Sequence, residues 1–450
     1  MLYNRPWPAA APATQIRVRL PMTARKSASS APRPASGKAS GTRTAAGARV
    51  MQRLEDLAAI TETPGSLMRR YLTPAHHKAM QQVEAWMREA GLSTRIDAVA
   101  NVIGRLEGAK PDAPAILIGS HIDTVADAGK YDGNLGVVAG IEAAAALRGA
   151  GLRHAVEVIA FGDEEGVRFP SHLLSSRALT GAVKPSELET VDADGVSVRE
   201  ALMKLRLDPG GLRACRRKPK EIAAYLEVHI EQGPVLQAEG RPLAAVTAIN
   251  GATRMRVGVT GVAGHAGTVP MKLRRDALAA AAGMVLAVET IGAEAGPDLV
   301  ATVGRLEALP GAPNVIPGEV RFTVDVRSPS DTTRARAVKR IVAALKDIAA
   351  ARRVKLATEI YYDAPAAVMD ARVVEAVAAA IAATGHTPLH LASGAGHDAM
   401  AIAPHWPAAM MFVRCKDGIS HHPDESITTS DADVAIRALV EAIRRLDAEL

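Results

Sequence analysis

The chain has 450 residues, 48% hydrophobic and 23% charged. That length allows two or three domains, and the apolar share excludes a wholly disordered or fibrous chain. No run approaches the roughly 18–20 uninterrupted apolar residues of a membrane span. Two cysteines, Cys215 and Cys415, are too few for a disulfide framework and fit a reducing compartment, so a cytoplasmic location is expected.

The formal charge of +6 is unevenly spread: residues 1–50 hold nine basic residues and no acidic one, leaving 45 basic against 48 acidic in the other 400. The basic character belongs to the tail and gives no ground for a nucleic-acid groove. Neither nucleic acid nor a membrane is expected as a partner. Residues 1–49 are rich in Ala, Pro, Ser and Gly and are expected to form a disordered basic tail. Their Arg-rich, acid-free composition also resembles an organelle transit peptide. The simpler alternatives are an unstructured extension, or a true start at Met22 or Met51.

From Val50 the pattern is α/β. Leu54, Leu57 and Ile60, then Met80, Val83, Trp86 and Met87, recur at helical spacing. AILIGS (115–120) is a buried strand, Leu135–Leu147 an apolar helix, and VEVIAF (156–161) a second buried strand. Strand, helix and strand at this spacing predict a parallel sheet, whose ligands bind beyond the carboxyl ends of the strands. Between Gly251 and Tyr362 the rhythm changes. Strands at 255–262, 300–308, 319–326 and 354–362 alternate with helices at 274–291 and 332–352, giving the βαββαβ order of a ferredoxin-like unit. The longest apolar stretch, around Ala279–Val288, reads as a buried helix of this unit. After Ala364-Pro365 the α/β pattern returns. The expected architecture is a large α/β catalytic domain (50–250 and 364–450) interrupted by a smaller α+β domain (251–363).

Five polar clusters, the first of them in two parts (119–125 and 131–136), fall at strand ends or loops of the large domain. In GSHIDTV (119–125), His121 follows a buried strand and Asp123 could orient its imidazole. Alone, such a pair is more often a surface histidine. In YDGNLG (131–136), Asp132 precedes a Gly-rich turn, where a capping role is the commoner use. GDEEGVRF (162–169) sets three carboxylates in a row, which repel unless cations or shared protons intervene. A solvated acidic loop is its plainer explanation. In LEVHIEQGP (226–234), His229 and Glu231 alternate on an apparent strand and should face one way. GISHHP (418–423) offers a histidine pair, and SGAGHD (393–398) is a Gly-rich turn with His397 and Asp398. Five such clusters in one α/β domain point to a metal centre, with one carboxylate of GDEEGVRF as ligand and its neighbour as general base for a water.

These segments, with GVAGHAGTVPM, RRDA and NVIPG, resemble the M20 peptidase clan, specifically its hydantoinase/carbamoylase branch of metal-dependent amidohydrolases. The branch includes N-carbamoyl-L-amino acid hydrolases, beta-ureidopropionases and allantoate amidohydrolases. The motifs run in family order from about residue 50 to the C-terminus, and HIEQG together with AGHAGTVPM is highly specific. The resemblance implies a metallopeptidase-like catalytic domain with an inserted lid and dimerisation domain, two divalent ions per subunit, and a homodimer through residues 251–363. Zinc or manganese is the expected metal, with cobalt or nickel as in vitro substitutes. By motif, His121, Asp132 and His229 would hold one ion, and Asp132, Glu165 and His421 the other. Glu164 would be the general base and Asp123 the orienter of His121. His421 is chosen over His422 by alignment on the preceding G-I-S. A histidine at 229, where peptide-cutting relatives usually have a carboxylate, favours the carbamoylase branch.

The resemblance also implies substrate contacts from Gln232, Asn314, Arg327 and Gly396, with His265 sent in from the neighbouring subunit to stabilise an oxyanion. Arg327 could clamp a carboxylate. The substrate would then be a small ureido acid, either an N-carbamoyl-L-amino acid or a relative such as allantoate, cleaved to ammonia and carbon dioxide. A dipeptidase or aminoacylase of the same clan, and a non-catalytic dimeric binding protein on this fold, are the competing readings.

Overall fold

The computed structural model describes residues 45–450. Most of the expected tail lies outside the described residues, but its boundary at 49 is too late, because the helix Ala45–Ala58 has already begun. Val50, Leu54 and Leu57 are buried along it, and Arg49 and Arg53 both reach the buried Glu142 carboxylate, at 2.6 and 3.0 Å. Helical spacing here starts inside an Ala-rich stretch whose composition matches the tail.

The main sheet is mixed and, among the described residues, nine-stranded. At its centre Ala155–Phe161, Ala115–His121, Ile222–Ile230 and Ala408–Val413 run parallel in that spatial order. Every residue of the first two is buried, as expected of parallel strands covered on both faces. The helix Asn134–Ala146 is buried from Asn134 to Ala144, which explains its apolar sequence all round. It packs with Ala45–Ala58 and Thr429–Glu449 over the sheet.

A second, antiparallel sheet has its own hydrophobic core of Met255, Val257, Met284, Phe322, Val324, Ile341 and Leu345 among others. Its order is Leu306–Leu309, Glu319–Ser328, Gly251–Thr260, Lys355–Ala364. The expected single strand over 300–308 is broken into Val300–Thr302 and Leu306–Leu309, both paired with Glu319–Ser328. Gly304 stands at the break, where a strand lacks a side chain to pack and bends cheaply. The helices Ala277–Glu294 and Asp331–Arg352 bury Ala281, Met284, Val288, Ile341 and Leu345 in this core. Ala277–Glu294 is also long and apolar enough to cross a membrane by length and composition. Its buried stripe is that of a core helix.

The second sheet grows out of the first at one point. Leu243–Ile249 of the main sheet passes through Asn250 into Gly251–Thr260. Lys355–Ala364 returns to Ala367–Val368, which pairs with Leu243–Ile249 again. Entry and exit are therefore neighbours.

Candidate metal centre

The carboxyl ends of the four central strands bring the polar motifs together. His121 ends one strand, the Gly162–Glu165 turn follows Phe161, His229 is the penultimate residue of Ile222–Ile230, and the His421 loop follows Val413. All converge on Asp132. Its Oδ1 lies 3.1 Å from His229 Nε2 and 3.5 Å from His121 Nε2, and its Oδ2 lies 3.2 Å from His421 Nε2. Glu165 Oε2 is 3.7 Å from His421 Nε2, and Glu164 Oε2 is 3.9 Å from His121 Nε2.

The imidazoles are oriented from behind. His229 Nδ1 sits 2.9 Å from the Ile230 carbonyl and His121 Nδ1 3.1 Å from that of Asp123, so each donates from Nδ1 and turns Nε2 to the centre. Gly133, at φ +66°, carries Asp132 past His121 so closely that a Cβ would collide with the imidazole. Gln232 (φ 55°) and His421 (φ 53°) also occupy the left-handed region, which non-glycine residues adopt only where their surroundings hold them.

The electrostatics describe a cage short of positive charge. Burial pushes the Asp132 carboxyl up, but bonds to His121, His229 and His421 outweigh it and hold Asp132 well below the carboxylate range. The bond to Asp132 raises His421 to about 9. Burial, and the nearby Glu165, Asp398 and Asp123, raise Glu164 well above normal against the pull of His121. Burial, then Asp132, pushes Glu165 up to about 7. Carboxylates crowded enough to retain protons, beside imidazoles that hold theirs, are the groups divalent cations would pair with. Among the described residues three sets lie within metal-ligand reach: His121, Asp132 and His229; His121, Glu164 and Glu165; Asp132, Glu165 and His421. Nitrogen and oxygen donors without thiolate fit a borderline or hard cation.

Asp123 reaches beyond His121, accepting the backbone N–H groups of Glu164 and Glu165, both at 3.2 Å. Gln232 donates to Asp132 Oδ2 at 2.8 Å and to Ser420 Oγ at 3.1 Å. A Cβ on Gly396 would lie 3.5 Å from Glu164 Oε1. His422 is exposed and turns to Asp424 at 3.6 Å, away from the cage. Glu231 departs from expectation: the strand stops at Ile230, and its carboxylate accepts from Val235 and Leu236 N–H at 2.7 and 2.9 Å instead of facing with His229.

The remaining motif residues belong to the second sheet and its margin. Arg327 donates from Nε and Nη2 to Asp325, both at 3.0 Å, and from Nη1 to the Gly394 carbonyl at 2.7 Å. It lines a cleft of ≈ 510 Å³ with Arg254, Thr302, Thr323, Asp325 and Gly394, and no cage residue borders that cleft. His265 and Asn314 are exposed at a two-stranded ribbon, where Val315 pairs with His265 and the Asn314 carbonyl accepts from Ala266 N–H at 2.9 Å. Neither bonds to the cage.

Two residues that support the cage, Glu425 and Arg69, carry no mark in the sequence motifs. Buried Glu425 accepts from Tyr131 and Asp132 N–H at 2.8 and 3.1 Å. It lies just past GISHHP, within reach of the same motif. Fully buried Arg69 bonds the Ile122 carbonyl and Asn134 Oδ1, each at 2.6 Å, tying the His121 strand end to the helix after Asp132. No local pattern marks it. Asp398 of SGAGHD, to which the motif alone assigns no role, is one of the charges that raise Glu164.

Fold and centre together define an α/β protein with a histidine–carboxylate metal cage at its strand ends. The peptidase family M20/M25/M40 model matches residues 117–445, and the chain belongs to that family. It is 40% identical over 403 residues to an N-carbamoyl-L-amino acid amidohydrolase of Geobacillus stearothermophilus, covering 89% of this chain and 98% of that one. A probable allantoate deiminase of Oryza sativa subsp. japonica is 42% identical over 426 residues, 87% of each chain. An amidase of the hydantoinase/carbamoylase family from Burkholderia multivorans superposes with a TM-score of 0.85 at 34% identity, covering 89% of this chain and 97% of that one.

Proposed function

We propose that the chain is a metal-dependent amidohydrolase that cleaves the carbamoyl C–N bond of a small ureido acid, an N-carbamoyl-L-amino acid or allantoate. The observation that carries this is the meeting of three imidazoles on the single Asp132 carboxylate, with Glu164 Oε2 beside them at 3.9 Å from His121 Nε2. Near-full-length similarity to amidohydrolases acting on such compounds supports the substrate class. His121, Asp132 and His229 would hold one zinc or manganese ion, and Asp132, Glu165 and His421 a second. When bound, the pair would polarise the ureido carbonyl and lower the proton affinity of a water.

The chain's own residues supply the rest. Glu164 Oε takes a proton from the attacking water and passes it to the terminal nitrogen. The C–N bond breaks, that nitrogen leaves as ammonia, and the carbamic acid that remains loses carbon dioxide. Arg327 keeps one N–H on each terminal nitrogen after its bonds to Asp325 and Gly394, enough for a substrate carboxylate. The Gly394–Gly396 turn links that guanidinium to Glu164, since Gly396 abuts the Glu164 carboxylate. Gln232 steadies Asp132. His265 and Asn314, exposed on the smaller domain, fit an arrangement in which residues 251–363 form a dimer and a lid, and a partner's copy completes the pocket.

The test is ammonia release by zinc- or manganese-loaded protein from allantoate, N-carbamoyl-beta-alanine and N-carbamoyl-L-amino acids, with release of free amino acid from dipeptides and N-acyl amino acids measured alongside. Turnover confined to the ureido acids is expected. Turnover of dipeptides or N-acyl amino acids alone would transfer the chain to the peptidase or aminoacylase reading, and none at all to a binding role. Glu164→Gln should lower kcat by about 10²–10⁴ while metal content stays unchanged. Full activity in that variant would remove Glu164 as the base.

A further inference from the structure

Asp132 and His421 are 289 positions apart, yet both must be held within a few tenths of an ångström to share one ion. Their backbones are poorly suited to hold themselves. Asp132 precedes a positive-φ glycine, and His421 itself sits at φ 53°. Two side chains, Gln232 and Glu425, touch both loops, and of these Glu425 also holds the backbone of the Asp132 turn. Glu425 Oε1 accepts from Tyr131 and Asp132 N–H at 2.8 and 3.1 Å. Glu425 Oε2 lies 2.9 Å from Ser420 Oγ, and Ser420 is the residue before His421. Ser420 Oγ is in turn 3.0 Å from Asp132 Oδ2, the oxygen that faces His421, and Gln232 Nε2 is 3.1 Å from the same hydroxyl. The Glu425 backbone closes the loop by donating to the His422 carbonyl at 3.0 Å. Glu425 is 3% exposed, so these bonds form away from competing water. Gly129 leaves it the space, because a Cβ there would collide with its carboxylate.

We infer that Glu425 is a positioning residue for the second metal position, fixing the Asp132 turn with one oxygen and the Ser420–His421 loop with the other. It rests on the two-ion reading of the cage. The His121–Asp132–His229 position has its own supports in the Ile230 and Asp123 carbonyls and does not use the Ser420 link. Loss of Glu425 should therefore fall unequally on the two ions. In Glu425→Gln the amide oxygen can still accept the backbone N–H groups, but the NH₂ can only donate to Ser420 Oγ, so the hydroxyl loses its charged acceptor and turns its proton to Asp132 Oδ2, the oxygen that faces His421.

The experiment is zinc titration of the full chain, stripped with a chelator, followed by competition with a metal indicator and by metal content after gel filtration. Wild type should retain two equivalents. Glu425→Gln should retain one at near-native affinity and bind the other about 10–100-fold more weakly, the usual scale for a residue behind a ligand. Ser420→Ala, which spares the backbone bonds, should weaken the same ion by a smaller factor and keeps the inference testable if Glu425→Gln does not fold. Two equivalents with unchanged affinities in both variants overturn the role of Glu425 and leave the two-ion reading standing. Equal weakening of both ions also overturns it, since that is the mark of a general structural role. Wild type that retains a single equivalent overturns the two-ion reading, and this assignment with it.

Discussion

The metal cage and the Arg327 cleft are built in opposite ways. The cage draws its side chains from the ends of four adjacent parallel strands and the turns that follow them, and its histidines and Asp132 are fixed by contacts with one another or with a carbonyl behind them. The cleft is an open face of the smaller sheet, where Arg254, Asp325 and Arg327 form a ladder that touches the main domain through the Gly394 carbonyl. His265 and Asn314 are more exposed still. Rigid strand ends suit groups that must share a metal within tenths of an ångström, whereas an inserted domain with paired entry and exit strands suits groups that approach a substrate. The reaction would then be divided between a preformed centre and a movable clamp.

The sharpest way to break this division is at Asp132. If both ions share its carboxylate, Asp132→Asn should reduce kcat/KM by more than about a thousandfold, because an amide offers one neutral acceptor where two charged oxygens stood. Metal content should fall with it. Retained metal and retained turnover would mean that the cage does not depend on its central carboxylate.

How much of this was readable beforehand follows from the same contrast. The residues that meet at Asp132 each follow an apolar run or a Gly-rich turn, and parallel strands place such ends side by side, so local pattern was informative. It failed where the deciding contact is distant. The helix at Ala45 is stabilised by Glu142, 93 positions from Arg49, and nothing in an Ala/Gly/Arg stretch announces that. Glu231 alternates with His229 on paper, but a left-handed turn at Gln232 hands its carboxylate to the next helix start. Glu425 acts across 294 positions on Tyr131. The break at Gly304 was locally visible, yet alternation on either side of it outweighed one glycine.

A second prediction uses protons to separate the two regions. With its ions removed, the cage binds protons: Asp132 raises His421 to about 9, and Glu165 sits at about 7. Imidazoles must be neutral and carboxylates ionised to bind a cation, so protons compete below those values. Apparent zinc affinity should therefore fall as pH drops from 8 to 6, by about tenfold or more, with protons released on loading at the lower pH. Competition with a chelator at each pH, read beside proton release on loading, checks both. An affinity indifferent to pH would show that these groups are not the ligands.

The smallest effect belongs to the clamp, and it should differ in kind. Burial pushes Asp325 up, but its bonds and charge pairing with Arg327 and then Arg254 hold it below the ordinary carboxylate value. A depressed carboxylate keeps its partners at every pH above its ordinary value and gives them up only as pH falls through the lower, folded one. Between pH 5 and 8 the ladder does not titrate. Asp325→Asn removes one charge while keeping the shape, so Arg327 should lose its fixed orientation but not its place. KM should rise about three- to tenfold, with kcat and metal content close to wild type, by the same factor at pH 6 and pH 8. A loss in kcat instead would draw Asp325 into the chemistry of the cage. A KM effect that grew or vanished across that range would mean the guanidinium is held by something other than this ion pair.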